Sequence, residues 1–189
     1  MAITTTNSSF GAQSGAARAD EFFTCFAQHT QELSWLSEFL TGDEMMAWAC
    51  VIDAQTPAEA QNKSGEECFW SRRREGIIRS AQDMQRVRIT QLASVYERRY
   101  CIHGEHALAP ELAELLAGKL EPIQLHLDVL CRFALILRGI EERSMAETAE
   151  ILGISKHAVE GAYCTALESL EIIYSSFLLE SYVSSSEVN

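Results

Sequence analysis

Arginine side chains that could bind phosphate groups are concentrated in residues 72–100. This stretch holds eight of the fifteen basic residues and three acidic ones, although the whole chain has a formal charge of −12. A basic stretch within an acidic protein is typical of a surface for nucleic acid or for an acidic partner. A solvated helix face with internal ion pairs explains the pattern equally well. The candidate nucleic-acid contacts in this stretch are Arg72, Arg73, Arg74 and Arg79.

Polar and small residues near Ser144 have the spacing of two helices joined by a tight turn. Ser144 and Glu147 form a capping box, in which each side chain satisfies an unpaired backbone N–H group at a helix start. Gly153 lies where a residue with left-handed backbone geometry would end that helix. Ser155 can cap the next helix. The sequence therefore predicts one helix between Ser144 and Gly153 and a second one from Lys156.

Small and apolar residues around the turn indicate that these two helices cross steeply. Ala149 leaves room where the backbones approach, Gly153 allows the tight turn, and Val159 can fill the corner. This pattern predicts a helix-turn-helix whose second helix, from Lys156 onward, enters the major groove of DNA. The alternative from spacing alone is an ordinary corner between two core helices, without a binding function.

The composition predicts an all-α protein. With 47% hydrophobic residues the chain can bury one or two cores, and it has only three prolines and no run of alternating β-branched residues that would indicate strands. Its apolar runs are too short to cross a bilayer, and its start lacks the basic-then-apolar order of a signal peptide. We therefore expect a cytoplasmic protein that makes no membrane contact.

The cysteines and histidines show no pattern of a metal or catalytic site. Intervals of 18 to 33 residues separate the six cysteines, which predicts reduced and mostly buried thiols. Cys101, His103 and His106 are metal-binding residue types, but a closed zinc site needs a fourth ligand. No nucleophile, base and orienting residue recur at a usable spacing. We expect no metal, no cofactor and no enzymatic activity.

The order of the segments predicts two helical domains between flexible ends. Residues 1–18 are rich in Thr, Ser, Gly and Ala and are expected to be disordered, as is the serine-rich tail over residues 182–189. Between them we expect a helical domain over residues 19–100, a linker over residues 101–121 and a helix-turn-helix domain over residues 122–181.

The first of these domains is predicted to consist of buried helices. Residues 44–54 read EMMAWACVIDA and are apolar nearly all round, which predicts burial between partners. The stretch from Glu66 to Tyr100 is expected to form one long helix, or two helices divided near Gly76. Its predicted core residues are Phe69, Trp70, Ile77, Ile78, Ala81, Met84, Leu92, Val95 and Tyr96.

Taken together, these elements resemble a bacterial sigma factor of the extracytoplasmic-function type, whose two small helical domains are joined by a flexible linker. Residues 127–145, LDVLCRFALILRGIEERSM, resemble the entry to the family's region 4, with Arg132 and Arg138 on its two arginine positions. Residues 149–155, AEILGIS, resemble the turn of that region. The resemblance implies a winged-helix-like DNA-binding fold of the region 4 type for the C-terminal domain.

A fainter similarity to region 2 of the same family covers the first domain. Residues 39–54 are similar to a segment that begins with Leu-Gly-Asp, and Trp70 with its following arginines resembles the helix that melts and reads the −10 promoter element. The resemblance implies core RNA polymerase and promoter DNA as partners. It implies two sets of contacts and one further residue. These are Arg72, Arg73, Arg74 and Arg79 for the −10 strand or the polymerase, Ser155, Lys156, His157 and Glu160 for the −35 groove, and Arg138 as a further DNA contact.

The chain departs from the family where basic residues usually lie in the recognition helix. The recognition-helix positions hold Glu160, Ala162, Thr165 and Leu167, and the same DNA-facing side carries Gly161, Cys164 and Glu168. Because phosphate neutralisation supplies most of the affinity of such domains, this face is expected to bind DNA weakly by itself. In region 2, two polar positions that contact the polymerase clamp hold Ala49 and Ile52 instead.

Two functions remain open from the sequence. The first is a divergent sigma-like transcription factor that binds promoter DNA together with core RNA polymerase, which supplies the missing affinity. The second is a sigma-shaped interaction protein that has lost independent DNA binding and binds a protein partner, such as an anti-sigma factor or a polymerase subunit. The negative charge of both ends of the chain favours the second, and the fold resemblance favours the first.

Overall fold

A computed structural model of the chain describes residues 29–55, 66–99, 101, 107–118, 123–124 and 126–186. All regular structure in these residues is helical and none of them lies in a strand, so the all-α prediction is confirmed. The helices are α1, residues 29–41; α2, Glu44–Gln55; α3, Glu66–Tyr96; α4, Pro110–Gly118; α5, Val129–Ala134, which continues as a π-helix over Leu135–Ile140; α6, Met145–Leu152; and α7, Lys156–Ser186.

None of the helices in the described part of the chain is both long enough and apolar enough to span a membrane. The N-terminal tail predicted to be disordered lies outside the described residues. Part of the predicted C-terminal tail is helical instead, because α7 continues to Ser186.

The turn between α1 and α2 follows from three residues of the sequence. The Thr41 hydroxyl donates to the Ser37 carbonyl oxygen at 2.8 Å and closes the last turn of α1. Gly42 then adopts a φ of 67°, where a residue without Cβ is favoured. Asp43 caps α2, since its carboxylate accepts a hydrogen bond from the Met46 N–H at 2.9 Å. These three residues therefore end α1 and begin α2.

The centre of the core is α5. Its N-terminal cap is Asp128, whose carboxylate accepts a hydrogen bond from the Cys131 N–H at 2.9 Å, and every residue from Val129 to Leu137 is buried. Helices α3 and α7 pack on it. Buried apolar residues from Leu33 in α1 to Ile173 in α7 belong to one cluster. The two halves of the chain thus share a core in this structure, and their division into two domains stays a prediction.

Helix α3 is continuous through Gly76, so the one-helix alternative is correct. At Gly76 the helix lies against α2, where an added Cβ would be 3.1 Å from the Ala54 Cβ. Of the predicted core residues, Tyr96 is buried but Val95 is 62% exposed. The reason is angular: one residue turns the helix by about 100°, which takes Val95 out of the stripe that contains Tyr96.

The prediction that α2 is buried all round is wrong. Helix α2 packs mainly on α3, and its opposite side is open. Met45, Trp48 and Ile52 are 79%, 60% and 62% exposed, respectively. An apolar sequence on all sides therefore does not ensure a partner on all sides of a helix.

Candidate nucleic-acid interface

Three arginines lie along one exposed face of α3. Arg72, Arg79 and Arg86 are all exposed and follow each other at intervals of seven residues. Seven residues are nearly two helical turns, so these side chains leave the helix on the same side, about 10 Å apart. Within the described residues, their guanidinium groups have no hydrogen-bond or ion-pair partner. We call Arg72, Arg79 and Arg86 the arginine row.

Arg86 was not among the predicted contacts. Its seven-residue distance from Arg79 is visible in the sequence, but it identifies a common face only if α3 is one straight helix. The buried Ile77 and Ala81 lie two positions to either side of Arg79, which places the core on the opposite side of α3. Burial on that side leaves the arginine row facing solvent.

The other two predicted contacts in α3 bind within the protein. Arg73 donates through Nη1 to the Ala54 carbonyl oxygen at 3.0 Å. Arg74 donates to one carboxylate oxygen of Glu141 at 3.0 Å and 2.6 Å through Nε and Nη2, and its Nη1 pairs with Glu32. Its side chain is only 22% exposed. Of the four arginines predicted on α3, the structure brings Arg72 and Arg79 into the row and turns these two inward.

The local geometry of the α6–α7 corner agrees with the sequence. The Glu147 N–H donates to the Ser144 hydroxyl at 3.2 Å, and the Ser144 N–H donates to the Glu147 carboxylate at 2.8 Å. These hydrogen bonds hold the pKa of Glu147 below its usual value. Gly153 ends α6 with a φ of 67°. The Ser155 hydroxyl accepts from the Ala158 N–H at 3.1 Å, which caps α7.

The apolar residues of the corner are placed as predicted. Ala149 and Val159 are 7% and 0% exposed, and both belong to the core. The corner is therefore well packed, and this packing alone does not distinguish a DNA-binding helix from a core helix.

The first turn of α7 carries little positive charge. Ser155, Lys156 and His157 are exposed, as a DNA-contacting turn would require. His157 faces Glu160, with 3.4 Å between Nδ1 and Oε2. Lys156 is the one cation of fixed charge in this turn, and the glutamate beside it offsets its attraction for phosphate.

The following turns of α7 are covered by the end of α3. Gly161 lies against the backbone of Tyr96, where an added Cβ would be 2.6 Å from the carbonyl oxygen. Arg99 pairs with Glu168 at 2.5 Å. We call residues 96–99 together with Cys101 the cover segment. The expectation that Gly161 faces a DNA groove is thus wrong in this structure, because Tyr96 occupies that side, whereas Glu168 pairs with Arg99 and is 46% exposed.

A disulfide joins the cover segment to α7. Cys101 and Cys164 are bonded, with 6.0 Å between their Cα atoms, and they are 63 residues apart in sequence. The prediction of reduced thiols is therefore wrong for this pair, since the crossing of two distant segments brings them together. It is confirmed for Cys50 and Cys131, which are free and buried. The side chains of Cys25 and Cys68 lie outside the described residues.

Tyr96 fixes the position at which the cover segment begins. Its hydroxyl donates to the Asp128 carboxylate at 2.6 Å and lies 3.1 Å from the Cys131 sulfur. Burial raises the pKa of the Tyr96 hydroxyl, and burial together with the Asp128 charge raises the pKa of Cys131 to about 12. Both groups stay protonated at neutral pH, so Tyr96 can donate to Asp128.

Arg138 is a structural residue rather than an exposed contact. Its Nη1 donates to the Arg143 carbonyl oxygen, and its guanidinium lies over the ring of Tyr163, 5.7 Å from the centroid. Its Nε atom is buried. The chain thus uses Arg138 to hold the π-helical end of α5 against α7.

An apolar surface lies on α2, away from the arginine row. Met45, Trp48 and Ile52 share one side of the helix, and we call them the α2 apolar face. A cavity of about 340 Å³ between α1, α2 and α3 adjoins it and is lined by Trp48 and by Trp70. Trp70 stacks on His29 with 4.7 Å between ring centroids. It therefore contacts α1 instead of projecting toward a DNA base.

Comparisons of the chain with protein-family models, with curated proteins and with solved structures found no match. Among the described residues, no group of three or more histidine, cysteine or acidic side chains could hold a metal ion.

Proposed function

We propose that this protein is a divergent sigma-like transcription initiation factor, in which the arginine row of α3 binds the backbone of promoter DNA beside core RNA polymerase. The observation that carries the proposal is the arginine row itself: three exposed guanidinium groups on one helix face, unpaired within the described residues. Exposed and unpaired arginines are free to exchange solvent for phosphate oxygens.

The dimensions of the arginine row suit a nucleic-acid strand. Arg72 and Arg86 are fourteen residues apart, which corresponds to about 21 Å along a helix. A stacked strand advances about 3.4 Å per nucleotide, so the row spans about six nucleotides. Arginines spaced in this way contact the backbone and fix its position, and they do not read sequence.

A second protein is needed for tight binding. The chain as a whole has a formal charge of −12, which opposes the approach of a polyanion, and three phosphate contacts give modest affinity. We assign the supporting contact with core RNA polymerase to the α2 apolar face. Large exposed apolar side chains such as Met45 and Trp48 are typical of protein interfaces.

The second candidate is a sigma-shaped protein-interaction module without DNA binding. Two observations favour it: the α2 apolar face offers a protein contact, and the cover segment lies on the side of α7 that would otherwise meet a groove. In this alternative, the arginine row is a solvated helix face. An anti-sigma factor or a polymerase subunit would bind α2.

A salt titration tests the proposed role of the arginine row. Binding of a labelled single-stranded oligonucleotide would be followed by anisotropy, with and without bacterial core RNA polymerase, for the wild type and for Arg72→Gln/Arg79→Gln/Arg86→Gln. We expect the slope of log K against log salt to fall by about 2, roughly 0.7 for each lost contact. Arg88→Gln is the matched control, because it removes an exposed charge from a different side of α3.

Equal slopes for the wild type and the triple variant would contradict DNA binding by the row. Capture of the tagged protein from its own cells, followed by mass spectrometry, then separates the two candidates. Core polymerase subunits in the captured material support the first. Recovery of another partner without polymerase supports the interaction module.

A further inference from the structure

We propose that the Cys101–Cys164 disulfide is a redox-controlled latch that holds the cover segment on α7 and keeps Arg99 away from DNA. The latch itself follows from the contacts of the cover segment. Its effect on DNA binding rests on the proposed function of α3.

Few contacts other than the disulfide hold the cover segment beyond Tyr96. Arg98 is exposed and, within the described residues, its side chain has no hydrogen-bond or ion-pair partner. Arg99 pairs with Glu168, but the two side chains are 43% and 46% exposed. An ion pair between such exposed groups is weak and is screened by salt. Without the disulfide, only that pair and the contact of Arg99 with Gly161 would join this part of the segment to α7 among the described residues, since its backbone hydrogen bonds go to Ala93 and Tyr96 of α3.

A fixed hinge precedes the movable part. Tyr96 is buried and bound to Asp128 at 2.6 Å, so it remains in place when the disulfide opens. The chain leaves the helix directly after Tyr96 and reaches Cys101 without further regular structure among the described residues. Opening therefore moves only a few residues and leaves α3 and α5 joined.

The disulfide can be attacked from one side. Cys101 is partly exposed and lies outside any helix, whereas Cys164 is 1% exposed. The thiolate of a low-molecular-weight thiol, such as glutathione, attacks the Cys101 sulfur and forms a mixed disulfide there. The electron pair of the broken S–S bond goes to Cys164, which takes up a proton. A second thiol then releases Cys101 as a thiol and leaves as the low-molecular-weight disulfide, so two electrons and two protons enter the protein.

Opening of the disulfide changes the charge at the end of α3. In the latched state the Arg99 guanidinium is neutralised by Glu168. In the open state Arg99 separates from that carboxylate, which adds one unpaired cation beside the exposed Arg98 at the end of the helix that carries the arginine row. Reduction should therefore increase the affinity for DNA and its dependence on salt.

Hydrogen exchange in two redox states tests the latch. The full-length protein would be compared after treatment with oxidised glutathione and after treatment with a phosphine reductant. We expect exchange in residues 97–99 and in residues 161–168 to become about tenfold faster on reduction. Alkylation with N-ethylmaleimide and mass spectrometry should find Cys101 and Cys164 blocked in the oxidised protein and modified in the reduced protein.

Two variants sharpen the test. Cys101→Ser should exchange as the reduced wild type does in both conditions, because it cannot form the disulfide. Cys50→Ser, which removes a buried thiol outside the disulfide, should behave like the wild type. Equal exchange in the oxidised and reduced wild type, or alkylation of Cys164 in the oxidised protein, would overturn the proposal.

Oligonucleotide binding by the oxidised and the reduced protein distinguishes failure of the latch proposal from failure of the proposed DNA binding by α3. Tighter binding by the reduced protein supports both proposals. A redox-dependent change in exchange with no DNA binding in either state supports the latch and contradicts the DNA-binding role of the arginine row.

Discussion

The arginine row of α3 and the second and third turns of α7 contain residues that the sequence suggested for DNA contact, yet their surroundings differ. Arg72 and Arg79 extend into solvent from a helix that is buried on its other side. Gly161 and Cys164 lie under the cover segment, one against the Tyr96 backbone and the other in a disulfide. The difference shows that a residue's chemistry becomes available for binding only where no other part of the chain packs on it.

The two regions differ because of what each helix has for neighbours. Helix α3 contacts α2, α5 and α7 but keeps one face open along its length. Helix α7 is buried almost completely from Ala158 to Leu167, since the corner, α5 and the end of α3 meet there. Between Ala158 and Leu167 the helix expected to enter a groove is thus a core helix, and its exposed residues lie in its first turn and beyond Leu170.

The largest effect on stability should come from a substitution that pushes the cover segment away from α7. Gly161→Ala places a Cβ 2.6 Å from the Tyr96 carbonyl oxygen, so the backbone has to move. Overpacking costs about 1–3 kcal/mol, and a gain in helix propensity of up to about 1 kcal/mol offsets part of it. We expect a net loss of about 1–2 kcal/mol in urea unfolding, with faster hydrogen exchange in the cover segment.

The control for this substitution is Gly153→Ala. Gly153 has a φ of 67° and no atom within 4 Å of an added Cβ, so the cost is backbone strain of about 1 kcal/mol. Exchange in the cover segment should stay unchanged in this control. Normal exchange in Gly161→Ala would mean that the cover segment does not depend on this contact.

An effect of similar size on stability should distinguish Arg74, which is paired within the protein, from the arginine row. Arg74→Gln removes the ion pairs with Glu32 and Glu141, and Glu32 keeps only its contact with His29 at 3.4 Å. We expect a loss of about 1–2 kcal/mol in the free energy of unfolding, between the values for exposed and buried pairs. DNA binding should be unchanged.

Arg79→Gln is the matched variant. Its stability should remain within about 0.5 kcal/mol of the wild type, as for most surface substitutions, while its DNA affinity falls. The reverse result, a stable Arg74→Gln protein and a destabilised Arg79→Gln protein, would remove the distinction between inward and outward arginines.

The smallest expected effect is on the pKa of Glu147, at the start of the α6–α7 corner. Hydrogen bonds from Ser144 lower the pKa of Glu147 in the folded protein. A lowered folded pKa means that the stabilisation is complete above the ordinary value of 4.5 and is lost as the pH falls through the lowered one. An NMR titration of the Glu147 carboxylate should show this low value, and Ser144→Ala should return it toward 4.5. Identical titrations would show that the capping box does not form in solution.

Much of the local structure could be read from the sequence. The capping box of Ser144 and Glu147 and the left-handed Gly153 were both predicted, because each involves residues within a few positions of one another. The burial of Ala149 and Val159 followed from the same short spacing. These features depend on backbone geometry and neighbouring side chains, which a short stretch of sequence specifies.

The tertiary structure decided which of these residues remain accessible. Arg74 meets Glu141 across 67 positions, and Cys101 meets Cys164 across 63. No periodicity within one segment encodes such pairs, because they depend on how α3 crosses α5 and α7. Residues close together in sequence specified the helices of the described residues, their turns and the basic stretch. The packing of distant helices determined that the row on α3 stays open while α7 is covered, since burial is a property of the whole assembled core.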